Sequence, residues 1–302
     1  MTNYADLISD IKHKNELERY ELFLQLYTVA PTQNTSPIEE AFSGPDTMVK
    51  LLFLQYLEEI PEERAVRLIV HLCEEDNEIL RESAFRAFTR NHYIRKHRYL
   101  RRFVHSKNPH TMRFAIRTLA HHGDREILSA LLQILPESSE SIQEEILEAL
   151  PFLPDTRSIS YLIHFCSSSI EAIRHLSVSA LVELKNHQFP VPLSIFLRMS
   201  EDPITRIHQM ALAGLQKYPS LRIARIFLNK AKDERAPLEN RRRALEALIT
   251  FPHLNWVEPI VAIMISGKRE LRVTGEITLR RFPIKTAKTG LSSLLTHPQS
   301  QM

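Results

Sequence analysis

Apolar residues recur along this chain at helical spacing, in segments about a dozen residues long separated by short polar breaks. Two stretches show the unit plainly. Gly123-Asp124 is followed by REILSALLQILPE, and Pro154-Asp155 by TRSISYLIHFCSS. Each Asp is placed to cap a helix, its carboxylate accepting the free amide hydrogens of the first turn. Each stretch is followed by a second amphipathic segment, SIQEEILEALPFL in one case and IEAIRHLSVSALVEL in the other.

Aligning the second segments gives a column that runs nearly the whole length of the chain. Its anchors are basic or polar: Arg19, Lys50, Arg81, Arg113, Gln143, Arg174, His208, Arg241 and Arg272, at intervals of 30 to 34 residues. Seven positions after the anchor the residue is apolar in every repeat, from Leu26 to Leu279. Positions 0, +3 and +7 share one helical stripe. Small residues at +3 and +6, such as Ala84 with Ala87 or Ala244 with Ala247, let neighbouring helices approach closely. One such helix pair cannot bury its own apolar face, whereas stacked pairs form a continuous core. The expected fold is therefore all-α, an α-solenoid (superhelix) of about nine helix pairs. Residues 1–302 are expected to form one repeat domain, irregular over 1–43, regular over 44–283 and ending in a cap and tail over 284–302. Thr32 to Pro45 reads as a loop, and the AKTGLSSLLTH segment as a short final helix before a disordered end.

The pattern of Gly-Asp, apolar helix, short turn and then Asp-x-x-apolar-Arg-x-x-Ala-x-x-Ala-Leu resembles HEAT repeats. It is most similar to the short bacterial kind also found in phycobilisome-lyase-type proteins. Asp124, Asp155, Arg81, Arg113, Arg174, Arg241 and Arg272 match it, while Gln143 and His208 stand where Arg is usual. The resemblance covers residues 44–283 well and 1–43 weakly. It implies that the anchor arginines form a structural ladder with loop acids and that the second helices line a concave, macromolecule-binding side.

Composition narrows the classes further. Six glycines are too few for the turns of a sandwich or barrel, or for a phosphate-binding α/β enzyme. No run approaches the ~20 apolar residues that cross a bilayer. The N-terminus lacks the basic start and apolar core of a secretory signal. The expected location is cytoplasmic, with no membrane contact. Cys73 and Cys166 lie in separate apolar runs and read as buried, reduced thiols.

A formal net charge of +3 hides a strong asymmetry. Residues 1–80 hold 6 Lys and Arg against 16 Asp and Glu, whereas residues 81–125 hold 12 against 2. The densest piece, Arg90 to Lys107, reads as the first helix of a pair. Tyr93 or Ile94, Leu100, Phe103 and Val104 are expected inside, with Arg95, Lys96, Arg98, Arg101 and Arg102 outside. Arg86, Arg90, Arg117, His121 and His122 belong to the adjoining second helices. Three uses fit this band: a solvated surface balanced by internal acids, a docking patch for an acidic protein segment, or a phosphate-binding surface for nucleic acid. The opposed charges of 1–80 and 81–125 also permit weak self-association, reduced by salt.

Catalytic signatures are missing. The chain has no His-Glu-x-x-His, His-Glu or Cys-x-x-Cys motif, no phosphate-binding glycine loop and no Gly-x-Ser-x-Gly elbow. His121 and His122 precede Gly123 and read as a helix end. Tyr20, Phe114 and Phe152 fall on less buried columns, suited to packing between repeats or to a binding hot spot. No catalytic residue, metal or cofactor is expected. The sequence reads as a protein-binding adaptor or scaffold with contacts at Arg86, Arg90, Arg98, Arg101, Arg102, Arg117, His121 and His122. Its expected partner carries an acidic segment, and nucleic acid on the same band is the alternative.

Overall fold

The computed structural model describes residues 11–28, 37–218 and 220–295. Among them every regular element is an α or 3-10 helix. The chain divides into two compact units, Met1–Ile134 and Leu135–Met302. Unit 1 contains α1 (Glu16–Thr28), α2 (Pro37–Ser43), α3 (Thr47–Leu57), α4 (Glu63–Leu72), α5 (Glu78–Arg90), a 3-10 segment (Lys96–His105), α6 (Pro109–His121) and α7 (Leu128–Ile134). Unit 2 contains α8 (Glu140–Ala149), α9 (Ser158–Phe165), α10 (Glu171–Asn186), α11 (Leu193–Met199), α12 (Thr205–Leu215), α13 (Leu221–Lys232), α14 (Leu238–Ala247), α15 (Val257–Ser266), α16 (Arg269–Arg281) and α17 (Ile284–Leu295).

All nine expected second helices are present: α1, α3, α5, α6, α8, α10, α12, α14 and α16. Each starts three residues before its anchor, or four in α6. In unit 1, Asp46, Asn77 and Asn108 cap the helices that follow them by accepting first-turn amides. The apolar +7 column is buried in every repeat, from Leu26 and Leu57 to Leu248 and Leu279. Each such Leu or Phe contributes roughly 1.5–3 kcal/mol by leaving water. In unit 1 α3 packs beside α5, and in unit 2 the successive second helices pack side by side, as α10 does on α12. Each unit is thus a stack of helix pairs. The small residues of the alignment do what their size predicts. Gly214 lies against the Phe196 ring and Gly275 against the Met264 side chain, with no room for a Cβ at either position.

The anchor column is occupied by structural contacts, of a kind different from the expected acid ladder. Six anchors donate to a backbone carbonyl shortly before their own helix. Arg19 reaches Ile11, Arg81 reaches Glu75, Gln143 reaches Leu135, Arg174 reaches Ser168 and Ser169, Arg241 reaches Ala231, and Arg272 reaches Gly267. Carbonyls at helix ends and turns lack partners within the helix, and a cationic or amide side chain satisfies them. Acids serve two anchors from the following repeat: Glu75 holds Lys50 at 2.7 Å and Asp202 holds Arg174 at 2.9 Å. His208 is buried, and desolvation holds its imidazole below its ordinary pKa, ahead of the nearby Lys230 charge.

Two local expectations are corrected. Residues 37–43, inside the expected loop, form α2 because Ile38, Ala41 and Phe42 make an apolar stripe that is fully buried. The basic segment after α5 begins its helical course only at Lys96 and is 3-10 throughout. Leu100, Phe103 and Val104 are buried as expected, but Ile94 is 91% exposed. Lys96, expected outside, is buried. Its Nζ donates to the Phe88 carbonyl at 2.7 Å, to the Thr89 carbonyl at 2.8 Å and to the Asn91 carbonyl. It caps the C-terminus of α5, where carbonyls are unpaired and the helix dipole favours a cation. Both cysteines are free and buried. Burial pushes the Cys73 thiol well up and the Cys166 thiol to about 12, so neither forms a thiolate near neutrality. The expected tail beyond residue 295 and the segment 29–36 lie outside the described residues.

Candidate functional site

The residues expected to bind a partner all lie in unit 1, on three adjacent parts of its surface. Arg86 and Arg90 project from α5 into a groove of about 400 Å³ between α3 and α5. Met48, Leu51, Leu52 and Gln55 line its α3 wall, with Ile79 and Ser83 opposite on α5. Arg90 pairs with Glu58 at 3.2 Å, while Arg86 donates to the Ser83 hydroxyl at 3.0 Å.

Arg117, His121 and His122 meet Lys96 and His97 around a smaller hollow of about 250 Å³, floored by Phe88. The end of α6 explains why the two histidines are there. Gly123, with φ of +67°, donates to the Ala120 carbonyl at 2.8 Å, and Asp124 to the Leu119 carbonyl at 3.0 Å. This is a Schellman ending, which needs a residue in the left-handed region. His121 closes the last turn and hydrogen-bonds the Arg117 carbonyl at 2.8 Å. Burial, then the neighbouring His122 and Lys96, lowers the pKa of His97 to about 4. His122 is also lowered, by burial and then by Lys96 and His121. Near neutrality His97 and His122 are therefore uncharged and add no positive charge to this hollow.

Arg98 and Arg101 border a third depression with His97, His122 and Asp124. Arg101 is clamped by Asp124 at 2.7 Å and by Glu126. Arg98 contacts Glu63 at 3.0 Å and the Tyr99 hydroxyl at 2.7 Å. Glu63 is pulled down to about 2 by hydrogen bonds from Tyr99 and Arg67, aided by Arg98. Arg102 lies over the Phe103 ring at 4.7 Å. Internal acids thus interrupt the basic band at Arg90, Arg98 and Arg101. Arg86 is paired with no carboxylate among the described residues. Of the aromatic residues picked from sequence, Phe114 stacks on Phe85 at 4.1 Å, while Tyr20 and Phe152 are exposed.

Sequence reasoning did not single out the apolar part of the α3–α5 groove. Met48 and Ile79 are 53% and 64% exposed. They occupy one repeat position, two residues before the anchors Lys50 and Arg81, and Leu17 takes the same position before Arg19. Among the described residues no group of three or more metal-ligating side chains converges, and no helix is long and apolar enough to cross a membrane.

No family model matches the chain, and no curated protein matches it in sequence. Similarity appears at the level of fold. An engineered protein solved by the Northeast Structural Genomics Consortium superposes with a TM-score of 0.52 at 13% identity, covering 99% of this chain and 96% of its own. The Escherichia coli protein YibA superposes with a TM-score of 0.54 at 14% identity, covering 93% and 98%. The complex of CpcE and CpcF of phycocyanin lyase from Nostoc matches at 16% identity, covering 83% and 96%, but with a TM-score of 0.39 it is too distant to argue from.

Proposed function

We propose that this chain is a non-catalytic, HEAT-like scaffold of the cytoplasm, working as one repeat domain whose second-helix face in unit 1 binds an acidic segment of another protein. The observation behind this reading is that Arg86, Arg90 and Arg117 are exposed on consecutive second helices, whereas the anchor column is occupied with backbone carbonyls and loop acids. The anchor residues hold the repeats together, and the exposed arginines between them present charge on the surface of the stack. The acids Glu58, Glu63, Asp124 and Glu126, set among the cations, break the band into separate cationic spots, which suits a short acidic segment better than the continuous charge of a phosphate backbone.

The test is affinity capture from native lysate by the wild-type chain and by the triple variant Arg86→Glu, Arg90→Glu, Arg117→Glu, with and without nuclease. A defined protein retained by the wild type after nuclease and lost by the variant supports the scaffold reading. Recovery of nucleic acid, with binding that falls steeply from 50 to 200 mM salt, would replace it with nucleic-acid binding by the same band. Equal capture by wild type and variant would remove the site.

A further inference from the structure

The groove between α3 and α5 is two-toned along its length. At the N-terminal end of the two helices it is apolar, with Met48 and Ile79 facing solvent and Leu51 and Leu52 behind them. At the C-terminal end it is polar, with Gln55 and Glu58 on one wall and Arg86 and Arg90 on the other. Exposed apolar side chains cost solubility when they cluster, and a cluster inside a groove marks a contact site. Core packing is not the reason for these two. The buried stripe of α3 runs through Val49, Phe53 and Leu57, and that of α5 through Leu80, Ala84 and Phe88. Met48 and Ile79 each precede the first residue of their stripe and point away from it.

Helical rise fixes the separation of the two ends. Ile79 and Arg86 are seven residues apart on α5, which is about 10 Å along the axis at 1.5 Å per residue. An extended peptide covers that distance in about three residues and a helical one in about seven. The charge at the far end selects the occupant. Arg90 is already matched by Glu58, whereas Arg86 contacts only a neutral hydroxyl among its described partners. A carboxylate entering there gains a charge-assisted hydrogen bond, bidentate in the best case. The apolar end gives it an anchor that a purely acidic segment would not use.

We propose that the α3–α5 groove binds an extended peptide of a partner protein that places a bulky aliphatic or aromatic residue between Met48 and Ile79. About three to five residues away, an aspartate or glutamate meets Arg86. This rests on the scaffold reading above and deepens it, since it adds an apolar anchor to the acidic segment. The groove end at Met48 and Ile79 sets the register, and Arg86 sets the direction in which the peptide lies. Recognition therefore depends on two residue types at a fixed spacing rather than on net negative charge.

The experiment is selection of phage-displayed random dodecapeptides on the full chain, followed by fluorescence polarisation with a labelled peptide of the resulting consensus. The expected consensus pairs Leu, Ile, Phe or Trp with Asp or Glu at the stated spacing. Its affinity should fall roughly tenfold or more in Ile79→Glu and in Arg86→Glu alike. Both residues are exposed, so far-ultraviolet dichroism and the melting temperature should match the wild type in each variant. An acidic consensus without an apolar residue, bound equally by Ile79→Glu, would overturn this proposal and leave the acidic-segment scaffold standing. An apolar consensus indifferent to Arg86→Glu would overturn the groove proposal and count against the scaffold reading. Failure of any peptide family to enrich would overturn the groove as a peptide site, while leaving the lysate experiment to decide whether the face binds a folded partner.

Discussion

The ring centroids of His97 and His122 stand 3.3 Å apart, with the two planes inclined at 35°. Neither ring can gain a proton there without placing a charge beside the other and beside Lys96. Burial is the larger cause, and it holds His97 at about 4, opposed only by Asp124. An unfolded histidine titrates near 6.5. Between those values the unfolded chain binds a proton that the folded chain refuses, so stability falls as pH drops from about 6.5 to about 4. The urea midpoint followed over this range should decline less steeply in His97→Phe, which keeps an aromatic ring against His122. A slope equal to that of the wild type would show that the pair does not carry this titration.

Lys96 gives a second prediction. Its stem is buried and its ammonium meets three carbonyls at the end of α5. Methionine preserves most of the apolar stem and removes the donors. Lys96→Met should lower stability by about 2 kcal/mol, since buried acceptors are left without partners. Chemical denaturation monitors this directly, and an unchanged midpoint would mean that α5 ends equally well without the lysine.

In unit 2, Arg174 and Asp202 form a pair in which both side chains are largely shielded from water, and Asp202 also caps the amide of Ile204. Removing one charge leaves the other poorly solvated. Asp202→Ala should cost roughly 3 kcal/mol. The exposed pair Arg280–Glu276 should cost well under 1 kcal/mol when broken by Glu276→Ala. Thermal melts of the two variants side by side test the contrast; similar losses would contradict it.

Two helices end in the same motif with different residues at the left-handed position. Gly123 ends α6 at φ of +67°, and Gln188 ends α10 at φ of 65°. After α10, Gln188 donates to the Lys185 carbonyl and Phe189 to the Leu184 carbonyl, as Gly123 and Asp124 do after α6. Glycine is relaxed there and a residue with a Cβ is strained. Gly123→Ala should destabilise by about 1 kcal/mol. Gln188→Gly should stabilise by about 0.5 kcal/mol, part of the relief being offset by greater freedom of the unfolded chain. Opposite signs in a denaturation series confirm the reading, and equal signs refute it.

The second helices were legible because every one carries an anchor, a small residue or gap-filler, and an apolar +7 residue, and periodic signals of that kind survive local exceptions. The helix end at His121 and Gly123 was legible for the same local reason. Helix α2 was not, since its apolar stripe is only three residues long and sits among Ser, Pro and Glu. Nor was the burial of Lys96 legible: five cations crowd a short stretch, and which one turns inward depends on where α5 stops exposing carbonyls. The acids that interrupt the basic band were hidden by distance along the chain, Glu63 lying 35 residues from Arg98 and Glu58 lying 32 from Arg90. The exposed pair Met48 and Ile79 had a visible signal, an apolar residue two places before the anchor in α1, α3 and α5. Only their exposure in the folded chain separates that signal from core.

The anchor contacts have a consequence for how such a chain changes over generations. An arginine that grips a peptide carbonyl asks nothing of the side chain at the gripped position. Each repeat then needs one suitable donor and a roughly apolar stripe, and almost every other letter is open to replacement. Turns can exchange residues and surface columns can be rewritten for new tasks without loosening the stack. Kinship in such a lineage erodes from the letters long before it erodes from the architecture. This chain and YibA share a fold at 14% identity.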